Sequence, residues 1–208
     1  MCSKLFMDRK WRLSFALLTA VFSVQGFAAG DVARGEVLSD TCKGCHAVEG
    51  YNNAYPAYHV PRIAGQSAGY ISSALMLYRD GSRNHPTMQA QAASFSDQEI
   101  QDVSAYLSSL APQLDPATTA SGEAPTAAVV CGACHGAAGV SSIPTNPHLA
   151  GQQQDYLEQA VAQYKSGDRK GPNAIAMQAQ VNAIAEEDLA AVLAFFAAQE
   201  GLESLPMN

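Results

Sequence analysis

Residues 42–46 read Cys-Lys-Gly-Cys-His, and residues 131–135 read Cys-Gly-Ala-Cys-His, 89 positions later. Two thiols, two intervening residues and a histidine admit three chemistries: a zinc site, a redox disulfide or a covalently attached haem. The sequence around the two motifs decides among the three, and with them the fold.

The motifs lie in register within an internal repeat. Pro61-Arg-Ile-Ala-Gly-Gln66 returns 86 positions on as Pro147-His-Leu-Ala-Gly-Gln152, and that offset holds for Tyr70/Tyr156, Leu75/Val161, Tyr78/Tyr164, Gly81/Gly167 and Arg83/Arg169. Met88-Gln-Ala-Gln91 then returns as Met177-Gln-Ala-Gln180 at an offset of 89, that of the cysteine motifs. The first copy therefore has three extra residues between His46 and Pro61, the second has three extra between Arg169 and Met177, and each methionine stands 46 positions after its first cysteine. Residues 111–125 are rich in Pro, Ser, Thr and Ala without apolar rhythm and read as a linker running into the second copy's first helix. The chain divides into a leader over 1–28, a first domain over 29–112, a linker over 113–124 and a second domain over 125–208.

The leader sets the compartment. Lys4, Arg9, Lys10 and Arg12 precede a mostly apolar run over residues 13–24, and Gly26-Phe27-Ala28 offers small residues around a cleavage point before Ala29. That is the pattern of a secretory signal peptide. A membrane anchor is the alternative, but the run is short for the roughly 20 residues of a span. Cys2 precedes the apolar run and leaves with the leader. No other long apolar stretch follows, so no transmembrane segment is expected in the mature chain. That chain holds 8 Lys and Arg against 18 Asp and Glu, a balance that argues against nucleic acid as a partner. The charge is uneven, net −3 over 29–112 and net −7 over 113–208.

No alternating strand pattern appears, and the fold is read as all-α. Ser96 and Glu99 form a capping box that opens a helix with Ile100, Val103, Tyr106, Leu107 and Leu110 on one face. Its counterpart begins near Glu186 with Leu189, Val192, Leu193 and Phe196, although Ala185 stands where Ser96 stood. A middle helix near 70–79 is ended by Gly81, and its copy near 153–165 by Gly167. A short helix leads into each cysteine motif. Met88 and Met177 are placed in loop-like stretches between the middle and last helices. Units of about 80–95 residues hold a small core and gain from something to pack around.

A structural zinc takes four ligands, whereas each unit offers one cysteine pair and one histidine. Two pairs sharing a zinc would leave the matched methionines without a role. A thioredoxin-like disulfide wants a βαβ setting. Covalent haem uses every part. Cys42, Cys45, Cys131 and Cys134 form the thioethers of two covalently bound haem c groups, both sulfurs of a pair reaching one macrocycle edge from one helical turn. His46 and His135 then ligate the irons. Met88 and Met177 are the sixth ligands, while Met76 reads as core filling. His85 is a rival to Met88 with no partner in the second copy, and His59 and His148 are likewise unmatched. Pro61 and Pro147 are candidates to accept, through their carbonyls, from the rings of His46 and His135. Arg83 and Arg169 are candidates to pair with haem propionates. With both axial positions filled no catalytic residue is expected, and the chemistry left is outer-sphere electron transfer.

The doubled Cys-x-x-Cys-His, the doubled proline-to-glutamine motif, and the order of tyrosine, Gly-x-Arg and methionine together resemble the dihaem cytochrome c4 family over essentially the whole mature chain. The resemblance implies two tandem class I cytochrome c domains related by a pseudo-twofold axis, each helical around its haem, facing each other near the propionates. It implies a periplasmic electron carrier with redox proteins as partners: a terminal oxidase, a quinol–cytochrome c reductase or a dehydrogenase. Loose peripheral association with the membrane goes with that role. Two other readings share these residues. One is the cytochrome subunit of a flavoprotein (sulfide) dehydrogenase. The other is a dihaem peroxidase, which needs an open axial position that two matched methionines argue against. Residues 47–60, with Tyr51, Tyr55 and Tyr58, depart from the second copy.

Overall fold

The computed structural model describes residues 29–207, so the leader lies outside the described residues. The first domain carries α1 (Val32–Leu38), α2 (Asp40–His46), α3 (Ala68–Arg79), α4 (Pro86–Ala93) and α5 (Asp97–Ser109). The second carries α6 (Ala128–His135), α7 (Gln154–Ser166), α8 (Ala174–Ala183) and α9 (Glu186–Ala197). Among the described residues, β-structure is confined to isolated bridges, Asn52 with His59, Ala64 with Glu203 and Arg83 with Arg169.

Local chemistry explains the helix ends. The Ser96 hydroxyl accepts from the Glu99 N–H while the Glu99 carboxylate accepts from the Ser96 N–H, so both halves of the capping box are made. α9 starts at Ala185 without a side-chain cap, and Glu186, Glu187 and Asp188 sit instead at the positive end of its dipole. α7 stops at Gly167 in the left-handed conformation, φ +78°. α1 crosses α5 at Gly35, where a Cβ would stand 2.0 Å from the Asp102 carbonyl oxygen, a closeness only glycine permits.

The two methionines are not in loops. Met88 lies in the first turn of α4, whose N-cap His85 accepts through Nδ1 from the Met88 N–H at 3.3 Å, with Pro86 at the first position. Met177 lies in the first turn of α8. The Met-Gln-Ala-Gln run gives these short helices no apolar stripe, so periodicity does not find them, and the cap of α4 is a histidine rather than Ser, Thr, Asp or Asn.

The first domain packs Ile71, Leu75, Tyr78, Ile100, Val103, Tyr106 and Leu107 into one core. The second holds two smaller clusters, Ala128 with Val192, Phe195 and Phe196, and Leu157 with Leu189 and Leu193. The domains also trade segments. Leu205, from the tail after α9, is 3% exposed within the first domain's core, and its N–H donates to the His46 carbonyl at 2.9 Å. In return, the 47–60 stretch reaches the second domain. Tyr58 is buried with its ring centre 6.3 Å from that of Tyr156, and the backbone N–H and Nδ1 of His59 meet Asp155 Oδ2 at 2.9 and 2.7 Å. The end of the linker is tied down as well, since the Gln199 carboxamide bonds both the N–H and the carbonyl of Ser121.

Leu205→Ala is expected to destabilise the first domain by about 2–4 kcal/mol, seen as a lower urea midpoint with an unchanged slope. An unchanged midpoint would mean that the tail does not pack there in solution.

Candidate metal centres

Each cysteine motif is carried on one short helix, α2 for Cys42, Cys45 and His46, and α6 for Cys131, Cys134 and His135. Of the motif cysteines, Cys134 is exposed and Cys42, Cys45 and Cys131 are half-buried. Burial pushes the Cys42 and Cys131 thiols above their ordinary value.

His46 Nδ1 lies 2.8 Å from the Pro61 carbonyl oxygen, and His135 Nδ1 lies 2.9 Å from that of Pro147. A carbonyl only accepts, so Nδ1 holds the proton and Nε2 keeps its lone pair for a metal. Burial pushes both imidazoles below their ordinary value, which keeps them in the neutral, ligating form. Met88 and Met177 are half-buried, Met88 against the first core. His85 is engaged at both nitrogens, Nδ1 with the Met88 N–H and Nε2 at 3.3 Å from Asn53 Nδ2. Of the unmatched histidines, His59 bonds Asp155 across the interface, and His148 Nδ1 accepts from the Ser141 N–H at 3.0 Å.

Arg83 and Arg169 meet where the domains touch. They pair backbone to backbone, are 5% and 6% exposed, and exchange side-chain partners. Arg83 Nη2 donates to Tyr156 Oη at 2.7 Å, and Arg169 Nη2 donates to Tyr70 Oη at 2.6 Å. Each guanidinium also lies over a ring of its own domain, Arg83 at 4.4 Å from the Tyr78 centre and Arg169 at 4.8 Å from the Tyr164 centre. Burial would raise the Tyr70 phenol, but Arg169 and Arg83 outweigh it and pull it down to about 7. Among the described residues neither guanidinium has a carboxylate within ion-pair distance. Two like charges buried together are unfavourable without anions beside them.

These observations test the groups the motifs imply. Two thiols and a neutral histidine on one helix, a thioether from another, and a buried cation short of an anion fit a covalent haem with its propionates, once per domain. Among the described residues no three His, Cys, Asp or Glu side chains gather as a site for a metal ion, so a zinc shared between the pairs has no ligand set. Sequence reading finds Tyr70, Tyr78, Tyr156 and Tyr164 only as repeat markers. Their signal was the constant offset they share with the arginines. Gln66 and Gln152, also repeat markers, bond the backbone of His148 and of Arg62, each in the opposite domain.

The cytochrome c family model matches residues 32–111 and again 120–199. Cytochrome c4 of Pseudomonas aeruginosa is 30% identical over 86% of this chain and 94% of its own length. A thiosulfate dehydrogenase electron acceptor of Stutzerimonas stutzeri is 32% identical over 75% of this chain and 77% of its own. The crystal structure of reduced recombinant cytochrome c4 from Pseudomonas stutzeri matches with a TM-score of 0.66 at 24% identity, covering 83% of this chain and 100% of that one, a likeness of fold.

The buried arginines give a test whose sign is informative. Arg83→Met in the haem-loaded protein is expected to lower stability by about 3 kcal/mol if a propionate sits beside Arg83, since the substitution would then strip a buried anion of its partner. A gain in stability on the same substitution would show that no anion sits beside Arg83.

Proposed function

This chain belongs to the dihaem cytochrome c4 branch of the cytochrome c family, and from that premise we propose that it carries single electrons in the periplasm between respiratory donors and a terminal oxidase or similar acceptor. Each haem c, when bound, supplies a one-electron iron couple. Cys42 and Cys45 would hold the first and Cys131 and Cys134 the second, with His46 and Met88, and His135 and Met177, as the residues that would ligate the irons.

One observation carries the reading. Both axial histidines are held in the ligating tautomer by a proline carbonyl of their own copy, and a methionine stands at the same distance from each motif. Histidine and methionine together favour the ferrous state relative to two histidines. With both ligands in place, peroxide and oxygen would be kept off the iron. Pro61 and Pro147 fix the ring planes, and Arg83 and Arg169 would neutralise propionates at the interface, which would leave little to rearrange on reduction. The leader supports export. No helix among the described residues is long and apolar enough to cross a membrane; the membrane association that goes with the proposed role is loose and peripheral.

A second reading is favoured by the likeness to a thiosulfate dehydrogenase electron acceptor. In it the donor is a sulfur-compound dehydrogenase, a flavoprotein sulfide dehydrogenase among them, and this chain is its haem partner. The net −7 of residues 113–208 suits a basic docking face on that partner. Co-purification of a dehydrogenase with the tagged chain would favour this reading over the free carrier.

Reductive titration of the holoprotein is expected to take two electrons per chain, and carbon monoxide is expected to leave the ferrous spectrum unchanged. Binding of carbon monoxide at one haem would reveal an open axial position and bring a peroxidase forward.

A further inference from the structure

Gln66 and Gln152 end the repeated Ala-Gly-Gln motif and are 3% and 4% exposed. Gln152 Oε1 accepts from the Arg62 N–H at 2.8 Å, and its Nε2 donates to the Arg62 carbonyl at 2.8 Å. Gln66 treats His148 in the same way, accepting from its N–H at 2.8 Å and donating to its carbonyl at 3.0 Å. Arg62 and His148 directly follow Pro61 and Pro147. The N–H that each glutamine accepts therefore belongs to the same peptide group whose carbonyl accepts from an axial histidine, at 2.8 Å for His46 and 2.9 Å for His135. One peptide unit thus joins the axial histidine of one domain to the buried glutamine of the other.

We propose that each glutamine is a positioning residue for the opposite haem: Gln152 sets the potential of the first domain's haem and Gln66 that of the second's. This rests on the electron-carrier reading and goes beyond it. An amide whose N–H is bonded to an acceptor is polarised, and its carbonyl accepts more strongly, by about 10–30% per bond in a chain. The stronger bond at Nδ1 draws the ring toward imidazolate, raises its basicity toward iron and stabilises the ferric state. The carboxamides are fixed in this sense, because each Oε1 also accepts from the next residue's N–H, Ser67 at 2.9 Å and Gln153 at 3.0 Å. The exchange makes the potential of each haem depend on the domains staying in contact.

The test is crossed. Gln152→Leu and Gln66→Leu are made separately in the full-length holoprotein, and both haem potentials are read by spectroelectrochemistry, the haems being assigned by NMR. Gln152→Leu is expected to shift the first haem's electron-exchange equilibrium about threefold toward reduction, about 30 mV upward at roughly 59 mV per tenfold. The second haem stays in place, and the His46 Nδ1–H resonance moves upfield. Gln66→Leu does the reverse. A shift confined to the haem of the substituted domain, equal shifts in both, or no shift would overturn the proposal. Failure of the underlying reading would show separately, in the unsubstituted protein, as fewer than two haems per chain or an axial ligand other than methionine.

Discussion

Two hydrogen bonds, from His46 Nδ1 to the Pro61 carbonyl and from His135 Nδ1 to the Pro147 carbonyl, hold the rest of the structure to its purpose. Each selects one tautomer, fixes one ring plane and leaves Nε2 free. Each also ties the cysteine helix to the start of the Ala-Gly-Gln motif, and so decides where the following chain runs. Gly65 and Gly151 adopt φ of +77° and +70°, and a Cβ at either would stand 2.5 Å from the Pro112 carbonyl oxygen or 2.8 Å from the Leu202 N. The glycine lets the motif pass against the segment that follows each domain's last helix, which delivers the glutamine to the other domain.

From that point the two halves are built into each other. Glutamines cross to backbone, arginines cross to tyrosines, Tyr58 and His59 cross one way and Leu205 crosses back. The first two exchanges obey the repeat, and the last two do not. The tail after α9 brings Leu205 into the first domain's core, whereas the linker brings Ala120 against the second's, and the 47–60 stretch has only a shorter counterpart. Similar cores therefore present dissimilar surfaces, a difference that the unequal charges of 29–112 and 113–208 reinforce. The buried arginines are the expensive part of this interface, tolerable because the groups expected beside them are anionic.

The family and the helices that carry the two cysteine motifs were legible in the sequence because their signals are local. Cysteine spacing, the histidine beside it and a methionine at a constant distance need no third dimension, and the capping box at Ser96 reads directly. The helices around Met88 and Met177 were not legible, since Gln and Ala carry no apolar rhythm and His85 is an unusual cap. The exchanges were hidden for another reason. An internal repeat pairs Gln66 with Gln152 and Arg83 with Arg169 as equivalents, whereas in the structure each side chain bonds a different residue of the other copy. Equivalence is written in the sequence; reciprocity across a pseudo-twofold axis appears only when the copies face one another.

The central claim is that both irons sit between a histidine and a methionine. It is tested most directly by the ferric absorption spectrum of the purified holoprotein, with haem per chain quantified. Two haems and a weak far-red band of two-haem intensity, the signature of methionine sulfur on low-spin ferric iron, are the result expected. A band of half that intensity, or a high-spin component, would contradict the account, because one iron would then be open or otherwise ligated.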